Sequence, residues 1–534
     1  MPELADPTAL VPLPLHVETR PGTFRFGADA ALVAEPAALD SAWLLQSYLL
    51  RAGVRGNVHG VPAGEAAAGA VVLRVDDTCS DDAEGYRLVV APDAVELVGA
   101  SADGLARAVQ TLRQLLPADA LREGRRGGTP AMPCCVIEDT PRFRWRGVHL
   151  DVARHFMPVP FVLRFIDLAA LHRLNVVHLH LTDDQGWRLE VPSWPRLTEV
   201  SSWRDETVVG RHGLDTGFDG TPLGGFYTAD DVREIVEFAR RRRITVVPEV
   251  DLPGHVQSVL AAYPELGNTG ERVDVRTTWG ISDHVLAPTD EALTFARDVL
   301  AVVADLFPSP WVHVGGDEVP RTEWRASPAA AERATALGLA SVDELQSWFL
   351  RAIHADLTAR GRRVVGWDEV LDDGGMPADT VVMAWRGVEH GLAGLAAGHD
   401  VVMCPKHVTY LDYASSSGED EPLAPRRTIT LEDIAAWEPE PPGSADLPGR
   451  ILGVQGQLWT EYMPTPRDVE YMAFPRLAAL AEAGWTSAKR REAADLLDRM
   501  PGHLRRLDAL GVNYRPLAGP HPWQRGGTGR RRRL

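Results

Sequence analysis

Between about residue 140 and residue 490, short apolar runs alternate with longer amphipathic stretches. This alternation predicts parallel strands joined by crossover helices. The strand candidates are WRGVHLD (145–151), NVVHLHL (175–181), ITVVPEV (244–250), WVHVGG (311–316), RRVVGW (362–367), TVVMAW (380–385), DVVMCP (400–405) and ILGVQGQLW (451–459). Eight strand–helix units over about 350 residues indicate an α/β fold, a (β/α)8 TIM barrel. An open doubly wound sheet is the alternative, but no glycine-rich phosphate loop follows any of these strands.

The segment before the barrel has the pattern of a small α+β domain. AVVLRV (70–75) predicts a strand, and YRLVV and AVELVG predict a hairpin around residues 91–93. An amphipathic helix follows, with Ser101 as its N-cap. We therefore expect an N-terminal α+β domain over 1–140, a catalytic barrel over 141–515, and a disordered basic tail over 516–534.

The net charge of −19 argues against nucleic acid or an anionic membrane as a partner and favours a small neutral or cationic substrate. Neither a signal-like N-terminus nor a membrane-spanning apolar run is present in the sequence, which predicts a cytoplasmic protein. The four cysteines have no spacing typical of a zinc site or a disulfide framework. We therefore expect neither a metal nor another cofactor.

Barrel enzymes carry their chemistry at the C-terminal ends of the strands. In this sequence those ends are rich in acids and tryptophans, which predicts one ring of functional side chains around one mouth. The residues are Asp151, Arg154, Asp183, Asp184, Asp251, His255, Asp317, Glu318, Trp367, Asp368, Trp385, Tyr410, Asp412, Trp459 and Glu461. Aromatic faces pack on the C–H faces of a pyranose, and carboxylates and arginine bind its hydroxyls, so this composition favours a sugar ligand.

The stretch HVGGDEVP (313–320) places the carboxylates of Asp317 and Glu318 side by side. Most glycosidases place two carboxyl groups about 5–9.5 Å apart on opposite faces of the anomeric carbon. Consecutive residues have Cα atoms about 3.8 Å apart and lie on the same wall of a pocket. One of them can act as the acid, and a 2-acetamido sugar can supply the nucleophile from its own carbonyl oxygen.

Several ordered motifs support this hypothesis. HVGGDE, DVARHF (151–156), HLHLTDDQGWRLE (178–190), PEVDLPGH (248–255), GWDE (366–369) and LWTE (458–461) together resemble glycoside hydrolase family 20, the β-N-acetylhexosaminidases. The resemblance spans roughly residues 140–490. It implies a retaining exo-glycosidase that removes terminal β-linked N-acetylglucosamine or N-acetylgalactosamine through an oxazolinium intermediate.

The resemblance also implies a role for each matched residue. Glu318 is then the general acid and base, Asp317 holds the acetamido N–H, and Tyr410 donates to the acetamido carbonyl. His255 and Asp183 form a pair that supports Glu318. The remaining predicted contacts to the sugar are Trp367, Trp385 and Trp459 around the acetamido methyl, Arg154 at the C3 and C4 hydroxyls, and Asp412 and Glu461 toward C4 and C6.

Two other classes of protein fit parts of this pattern. A metal-dependent amidohydrolase fits His178-x-His180 at a strand end, with His255 and Asp317 completing a metal site. A non-catalytic sugar-binding protein fits the aromatic residues and the hydroxyl-binding groups, but has no use for an acid beside Asp317.

Overall fold

The computed structural model describes residues 4–60, 68–123, 128–214 and 216–522. Residues 523–534, the end of the tail predicted to be disordered, lie outside the described residues, whereas 516–522 are described. The domain limits at 140 and 515 stay predictions. Among the described residues, no helix has both the length and the apolar character needed to cross a membrane.

The first part of the chain folds into a mixed β-sheet with two helices packed on it. Its elements are β1 (His16–Arg25), β2 (Asp29–Ala34), α1 (Leu39–Arg51), β3 (Arg55–Gly60), β4 (Val71–Val75), β5 (Tyr86–Val90), β6 (Val95–Gly99), α2 (Ala102–Leu115) and β7 (Ala131–Asp139). The strand order is β1-β7-β5-β6-β4-β2-β3. Strands β5 and β6 form the predicted antiparallel hairpin, and the Ser101 side chain caps α2 by accepting from the Asp103 N–H.

The rest of the chain forms the barrel and its surrounding helices. The strands are β8 (Trp145–Asp151), β9 (Val176–His180), β10 (Thr182–Asp183), β11 (Gly186–Trp187), β12 (Trp203–Arg204), β13 (Leu223–Gly224), β14 (Thr245–Glu249), β15 (Trp311–His313), β16 (Arg363–Trp367), β17 (Val381–Ala384), β18 (Val401–Met403) and β19 (Ile451–Gly456). Eight of them, β14-β15-β16-β17-β18-β19-β8-β9, close into a parallel barrel. All eight predicted strands are in it, so the predicted fold class is confirmed.

Helices cover the outside of the barrel. They are α3 (Val159–Leu171), α4 (Arg196–Glu199), α5 (Ala229–Arg240), α6 (Gln257–Ala262), α7 (Asp290–Leu306), α8 (Thr322–Ala326), α9 (Pro328–Ala336), α10 (Leu345–Ala359), α11 (Val388–Ala396), α12 (Leu431–Ala436), α13 (Pro466–Ala473), α14 (Arg476–Trp485) and α15 (Ala493–Ala509). Polar N-caps start several of them. At α5, for example, Thr228 and Asp231 form a reciprocal capping box.

One of the eight predicted strand–helix units has no α-helix. The described segment between β16 and β17 contains only a 3-10 turn at Asp368–Leu371. Gly374 and Gly375 have φ of +100° and +65°, and Pro377 follows them, which is incompatible with continuing a helix.

The side chains inside the barrel are apolar in one part of its length and polar toward the C-terminal ends of the strands. Its apolar part is a cluster of buried side chains that includes Trp145, Val247, Val365 and Met383. Toward the C-terminal ends the interior instead holds buried histidines and acids. Because strand alternation sends every second side chain inward, the same strands supply both parts.

Candidate active site

A pocket of about 230 Å³ opens at the C-terminal mouth of the barrel. Ten of the eleven side chains to which the resemblance assigned a role line it, together with three further residues. The ten are Arg154, Asp183, His255, Asp317, Glu318, Trp385, Tyr410, Asp412, Trp459 and Glu461, and the additional three are Asp251, Tyr413 and Pro425. Residues from seven different strand ends therefore meet at one place.

The double glycine before the acid pair creates the turn that carries it. Gly315 and Gly316 have φ of +66° and +89°, a region that side chains disfavour. A Cβ at Gly315 would lie only 1.7 Å from Asp251 Oδ1, so the backbone approaches that carboxylate as only glycine allows. The Gly316 N–H donates to the same oxygen at 3.0 Å. Glu318 itself has φ of +46°, which turns the chain again directly after Asp317.

The His255 ring lies among four carboxylates. Its Nδ1 is 3.2 Å from Asp183 Oδ1 and 3.5 Å from Asp184 Oδ2. Its Nε2 is 3.8 Å from Asp317 Oδ2 and 3.6 Å from Glu318 Oε2. Burial alone would lower the pKa of His255, but the charge of Asp183 outweighs it and the pKa lies well above its ordinary value. His255 is therefore an imidazolium that faces both members of the acid pair.

The two neighbouring acids have opposite electrostatic environments. Burial raises the pKa of Asp317 well above its ordinary value, and the nearby Asp251 adds to the effect. The Asp251 and Asp317 carboxyl groups approach within 4.8 Å of each other, and burial raises the pKa of Asp251 well above its ordinary value as well. For Glu318, burial also raises the pKa, but contact with His255 outweighs burial and holds the pKa below its ordinary value.

Arg154 is held rigidly on another wall of the pocket. Its Nη2 is 2.7 Å from Asp183 Oδ2 and its Nη1 is 3.4 Å from Asp151 Oδ2. Its Nε donates to Gln185 Oε1 at 3.1 Å, and the guanidinium lies over the Trp459 ring with a centroid distance of 4.8 Å. Side-chain entropy is therefore lost before any ligand binds, which favours tight hydroxyl recognition.

Three aromatic rings form an apolar wall. The rings of Trp385 and Tyr410 are stacked at 6.1 Å and 23°, and the rings of Tyr410 and Trp459 are 6.4 Å apart. The Trp385 indole N–H donates to Glu369 Oε2 at 2.9 Å, which fixes the orientation of the ring. Such a wall suits a small apolar group and excludes water from it.

Trp367 does not line the pocket. It is 1% exposed, lies in the interior cluster and contacts the rings of His313 and Trp459. Its indole N–H donates to Glu249 Oε1 at 2.9 Å. The side chain of Trp367 points from the end of β16 into the barrel interior. There it packs against Trp459 on the side away from the pocket.

Glu249 is a buried carboxylate surrounded by histidines, and it was not among the site residues predicted from the sequence. Its carboxylate lies 2.9 Å from His313 Nδ1, 3.0 Å from His178 Nε2 and 2.5 Å from His180 Nδ1, in addition to the Trp367 N–H. Burial raises the pKa of Glu249, but the surrounding histidines outweigh burial and hold the pKa well below its ordinary value.

His180 joins this centre to the pocket. Its Nδ1 faces Glu249 and its Nε2 is 2.8 Å from Asp183 Oδ2, so both ring nitrogens face carboxylates and both must carry a proton. Burial lowers the pKa of His180, but Glu249 and Asp183 outweigh it and raise the pKa to about 10. The HLHLTDD motif contains both His180 and Asp183. From the sequence alone, the only role proposed for its histidines was metal binding.

At the outer part of the pocket, Asp412 and Glu461 lie near each other. Among the described residues, Asp412 Oδ1 is buried and has no hydrogen-bond partner. Burial and the charge of Glu461 raise the pKa of Asp412 well above its ordinary value. Burial likewise raises the pKa of Glu461, against the opposing effect of Arg154. A sugar hydroxyl would give this buried oxygen the partner that it otherwise lacks.

Three groups of side chains are close enough to hold a metal ion. They are His149, His178 and Glu249; Asp183, Asp184 and His255; and Asp251, His255 and Asp317. In each group at least one carboxylate is already engaged by charged or protonated partners. The set predicted for an amidohydrolase is divided between two places, because His178 and His180 contact Glu249 in the interior while Asp317 lies in the pocket.

An acid pair on one wall, an aromatic wall and a rigid arginine at the mouth of a (β/α)8 barrel define a glycoside hydrolase. Comparisons with known proteins agree. Residues 143–488 match the model of the glycosyl hydrolase family 20 catalytic domain, and residues 7–140 match that of glycosyl hydrolase family 20, domain 2. The chain therefore belongs to glycosyl hydrolase family 20, and its predicted enzyme class, a β-N-acetylhexosaminidase, is confirmed.

Similar proteins cover nearly the whole chain. A beta-hexosaminidase of Porphyromonas gingivalis is 36% identical over 99% of this chain, which spans 66% of that relative's length. The crystal structure of an exo beta-N-acetylglucosaminidase from Vibrio harveyi, in complex with N-acetylglucosamine, has a TM-score of 0.84 and 35% identity, covering 97% of this chain and 80% of that one. A beta-N-acetylhexosaminidase of Streptomyces coelicolor has a TM-score of 0.82 and 31% identity, covering 97% and 99%.

Proposed function

We propose that the pocket removes a terminal, β-linked 2-acetamido sugar from a glycan, with the acetamido oxygen of the substrate as the nucleophile. The observation that carries this mechanism is that Asp317 and Glu318 lie on one side of the pocket, both within 4 Å of His255 Nε2. Two acids so placed do not flank an anomeric carbon. Attack by the substrate's own carbonyl oxygen forms an oxazolinium ion and displaces the leaving group, and water then opens this ion with overall retention.

Two further carboxyl groups of the pocket, those of Asp412 and Glu461, are poor candidates for an enzyme nucleophile. The raised pKa values of Asp412 and Glu461 favour their protonated forms, and a protonated carboxyl does not attack. They suit hydroxyl binding instead, next to Arg154. We assign Arg154 to the C3 and C4 hydroxyls, and Asp412 and Glu461 to the C4 and C6 side of the sugar.

Glu318 is assigned as the acid that protonates the leaving oxygen and then as the base that activates water. In the free molecule its side chain is 34% exposed and its pKa is lowered by His255. A bound substrate covers that exposed part, and loss of water raises the pKa of a carboxyl group. Substrate binding therefore favours the protonated form that the acid role needs, while His255 and Asp183 hold the side chain in place.

Asp317 is assigned to the acetamido N–H. A carboxyl group keeps an oxygen that can accept a hydrogen bond whether or not it carries a proton, so Asp317 can accept from this N–H. Among the described residues Asp317 Oδ1 is buried without a hydrogen-bond partner, as expected for an atom that awaits a donor. Tyr410 is assigned as the donor to the acetamido carbonyl, and the wall of Trp385 and Trp459 to the acetamido methyl.

The size of the pocket favours exo action. A volume of about 230 Å³ lies below the roughly 300–1,000 Å³ typical of sites for drug-sized ligands, so one sugar ring is the natural occupant.

The test of the proposed mechanism compares hydrolysis of a chromogenic N-acetyl-β-glucosaminide with that of the corresponding glucoside, which lacks the acetamido group. We expect turnover of the first only. Comparable rates on both would exclude a substrate nucleophile, and the corresponding galactosaminide would show whether C4 configuration matters.

The location of the enzyme in the cell is also a proposal. We infer a cytoplasmic enzyme from the charge and from the four cysteines, all of which are free thiols, three of them buried. Fractionation of cells that produce the full chain, with activity measured in each fraction, tests this. Activity recovered outside the cytoplasmic fraction would contradict it.

A further inference from the structure

A second cavity, larger than the catalytic pocket, lies beside the barrel mouth. Its volume is about 790 Å³, more than three times that of the pocket. It is bounded by residues 199–206, after β11, and residues 272–278, after β14. These segments belong to long loops that the catalytic assignment does not use. We propose that this cavity, the Trp203 cleft, binds a stretch of a neutral oligosaccharide, with one sugar ring stacked on Trp203.

Trp203 is presented as an aromatic platform. The side chain is 50% exposed and lines the cleft. Strands β12 and β13 pair Trp203 with Gly224, where an added Cβ would lie 2.3 Å from Cε3 and 2.4 Å from Cδ2 of the indole. One face of the ring therefore rests on a glycine backbone, and only glycine leaves room for it. An exposed aromatic face held in this way suits the C–H face of a pyranose.

The remaining lining of the Trp203 cleft favours a neutral polyhydroxyl ligand. Four acids and three arginines line it, among them Glu206, Asp274 and Arg272, and Thr277 and Thr278 line it as well. Opposite charges so nearly balanced do not attract an ion of either sign. Mixed donors and acceptors do match sugar hydroxyls and amides, which present both kinds of group.

Hydrogen bonds connect the residues that line the cleft to the residues that line or support the catalytic pocket. The Arg204 guanidinium donates to the backbone oxygen of Arg154 at 2.8 Å. The Gln185 amide, which holds the Arg154 side chain, donates to the Thr278 backbone oxygen at 2.9 Å. The Arg276 N–H donates to the Asp184 backbone oxygen at 3.1 Å. A glycan held in the cleft thus lies on the same face as the pocket, which raises the local concentration of chain ends there.

The choice of ligand rests on the proposed function, because an enzyme that trims one sugar at a time gains from holding the rest of the polymer. Affinity electrophoresis through a gel containing soluble glycol chitin tests binding apart from catalysis, since internal units of a polymer do not enter a pocket for a chain end. We expect the wild-type chain to be retarded and Trp203→Ala to migrate about as it does without polymer. Trp43→Ala is the matched control, because Trp43 is 52% exposed on α1 of the N-terminal domain.

Kinetics complete the test. With a chromogenic monosaccharide substrate, Trp203→Ala should keep the wild-type kcat/KM. With a β-1,4-linked tetramer of N-acetylglucosamine its KM should rise about three- to tenfold, the range expected from loss of one stacking contact. Arg272→Ala, a change at an exposed residue of the same cleft, should reduce retardation without altering the first assay.

Equal retardation of wild-type and Trp203→Ala would overturn the proposal, as would no retardation of the wild type. Loss of monosaccharide hydrolysis in Trp203→Ala would also overturn it, because the residue would then serve the pocket itself. The wild-type chain could hydrolyse no N-acetylglucosaminide and still be retarded more strongly than Trp203→Ala. That result would refute the proposed function and support glycan binding in the Trp203 cleft.

Discussion

Replacing Gly315 by alanine tests whether the double glycine exists to bring the acid pair against Asp251. The change has two separable costs. A non-glycine residue in the left-handed region costs about 1–2 kcal/mol, partly offset by the reduced entropy of the unfolded chain. The new Cβ would also lie 1.7 Å from Asp251 Oδ1 and 2.7 Å from Asp251 Cα, so the backbone itself must shift. Forced shifts of this kind typically cost a further 1–3 kcal/mol.

Gly361→Ala is the matched control for the first cost. Gly361 has φ of +72°, close to the +66° of Gly315, and an added Cβ there would meet nothing within 4 Å. We expect Gly361→Ala to lose about 1 kcal/mol and Gly315→Ala about 2–5 kcal/mol, measured by urea unfolding followed through tryptophan fluorescence. The difference between the two variants isolates the contact with Asp251.

Activity gives the second readout of Gly315→Ala. A shift of the turn moves both Asp317 and Glu318, and misplacement by about 1 Å can reduce a rate about 100-fold. Under conditions where each variant is folded, kcat/KM on a chromogenic N-acetylglucosaminide should fall by that order in Gly315→Ala and stay unchanged in Gly361→Ala. A Gly315→Ala variant that is as stable and as active as Gly361→Ala would refute the reasoning.

Three further outcomes are expected. Glu318→Gln should reduce kcat by about 10²- to 10⁴-fold while calorimetry still detects N-acetylglucosamine binding, because only the proton donor is lost. Burial and the charge of Asp317 raise the pKa of Glu369 to about 9, so the folded state keeps a proton that the unfolded state loses above about pH 4.5. The stabilisation is full below that pH and is lost as pH rises through about 9, so melting temperatures between pH 6 and 9 should fall less steeply in Glu369→Gln than in the wild type. Prolonged EDTA treatment should leave kcat unchanged, and activity that EDTA abolished and zinc restored would favour a metal enzyme.

Much of the fold could be predicted because each strand carries its own local signal. The eight apolar runs are all barrel strands, and Ser101 caps α2 as expected. The predicted strand at 311–316 ends earlier, at His313, because the positive φ values of Gly315 and Gly316 end the strand geometry. Glycine is compatible with either conformation, so its type alone did not fix the end of the strand.

The site was predictable in position but not in depth. Counting residues from a strand end locates a side chain along the barrel axis, which sufficed for Arg154, Tyr410 and Glu461. It does not decide whether a side chain faces the pocket or the interior beneath it, and Trp367 faces the interior. Nor does it show which partners a buried acid meets, and for that reason Glu249 was not recognised.

The buried charges of this site are tolerable because their signs alternate from the interior to the mouth. Glu249 is followed by the imidazolium of His180, then by Asp183, and then by the cations of Arg154 and His255. An isolated buried charge costs several kcal/mol, whereas each member here lies between neighbours of opposite sign. If His180 lost its charge, Glu249 and Asp183 would lose the cation that lies between them, and each would keep only its other partners. Glu249 in the barrel interior is thus connected to His255, and through it to Glu318, by a continuous series of contacts between opposite charges.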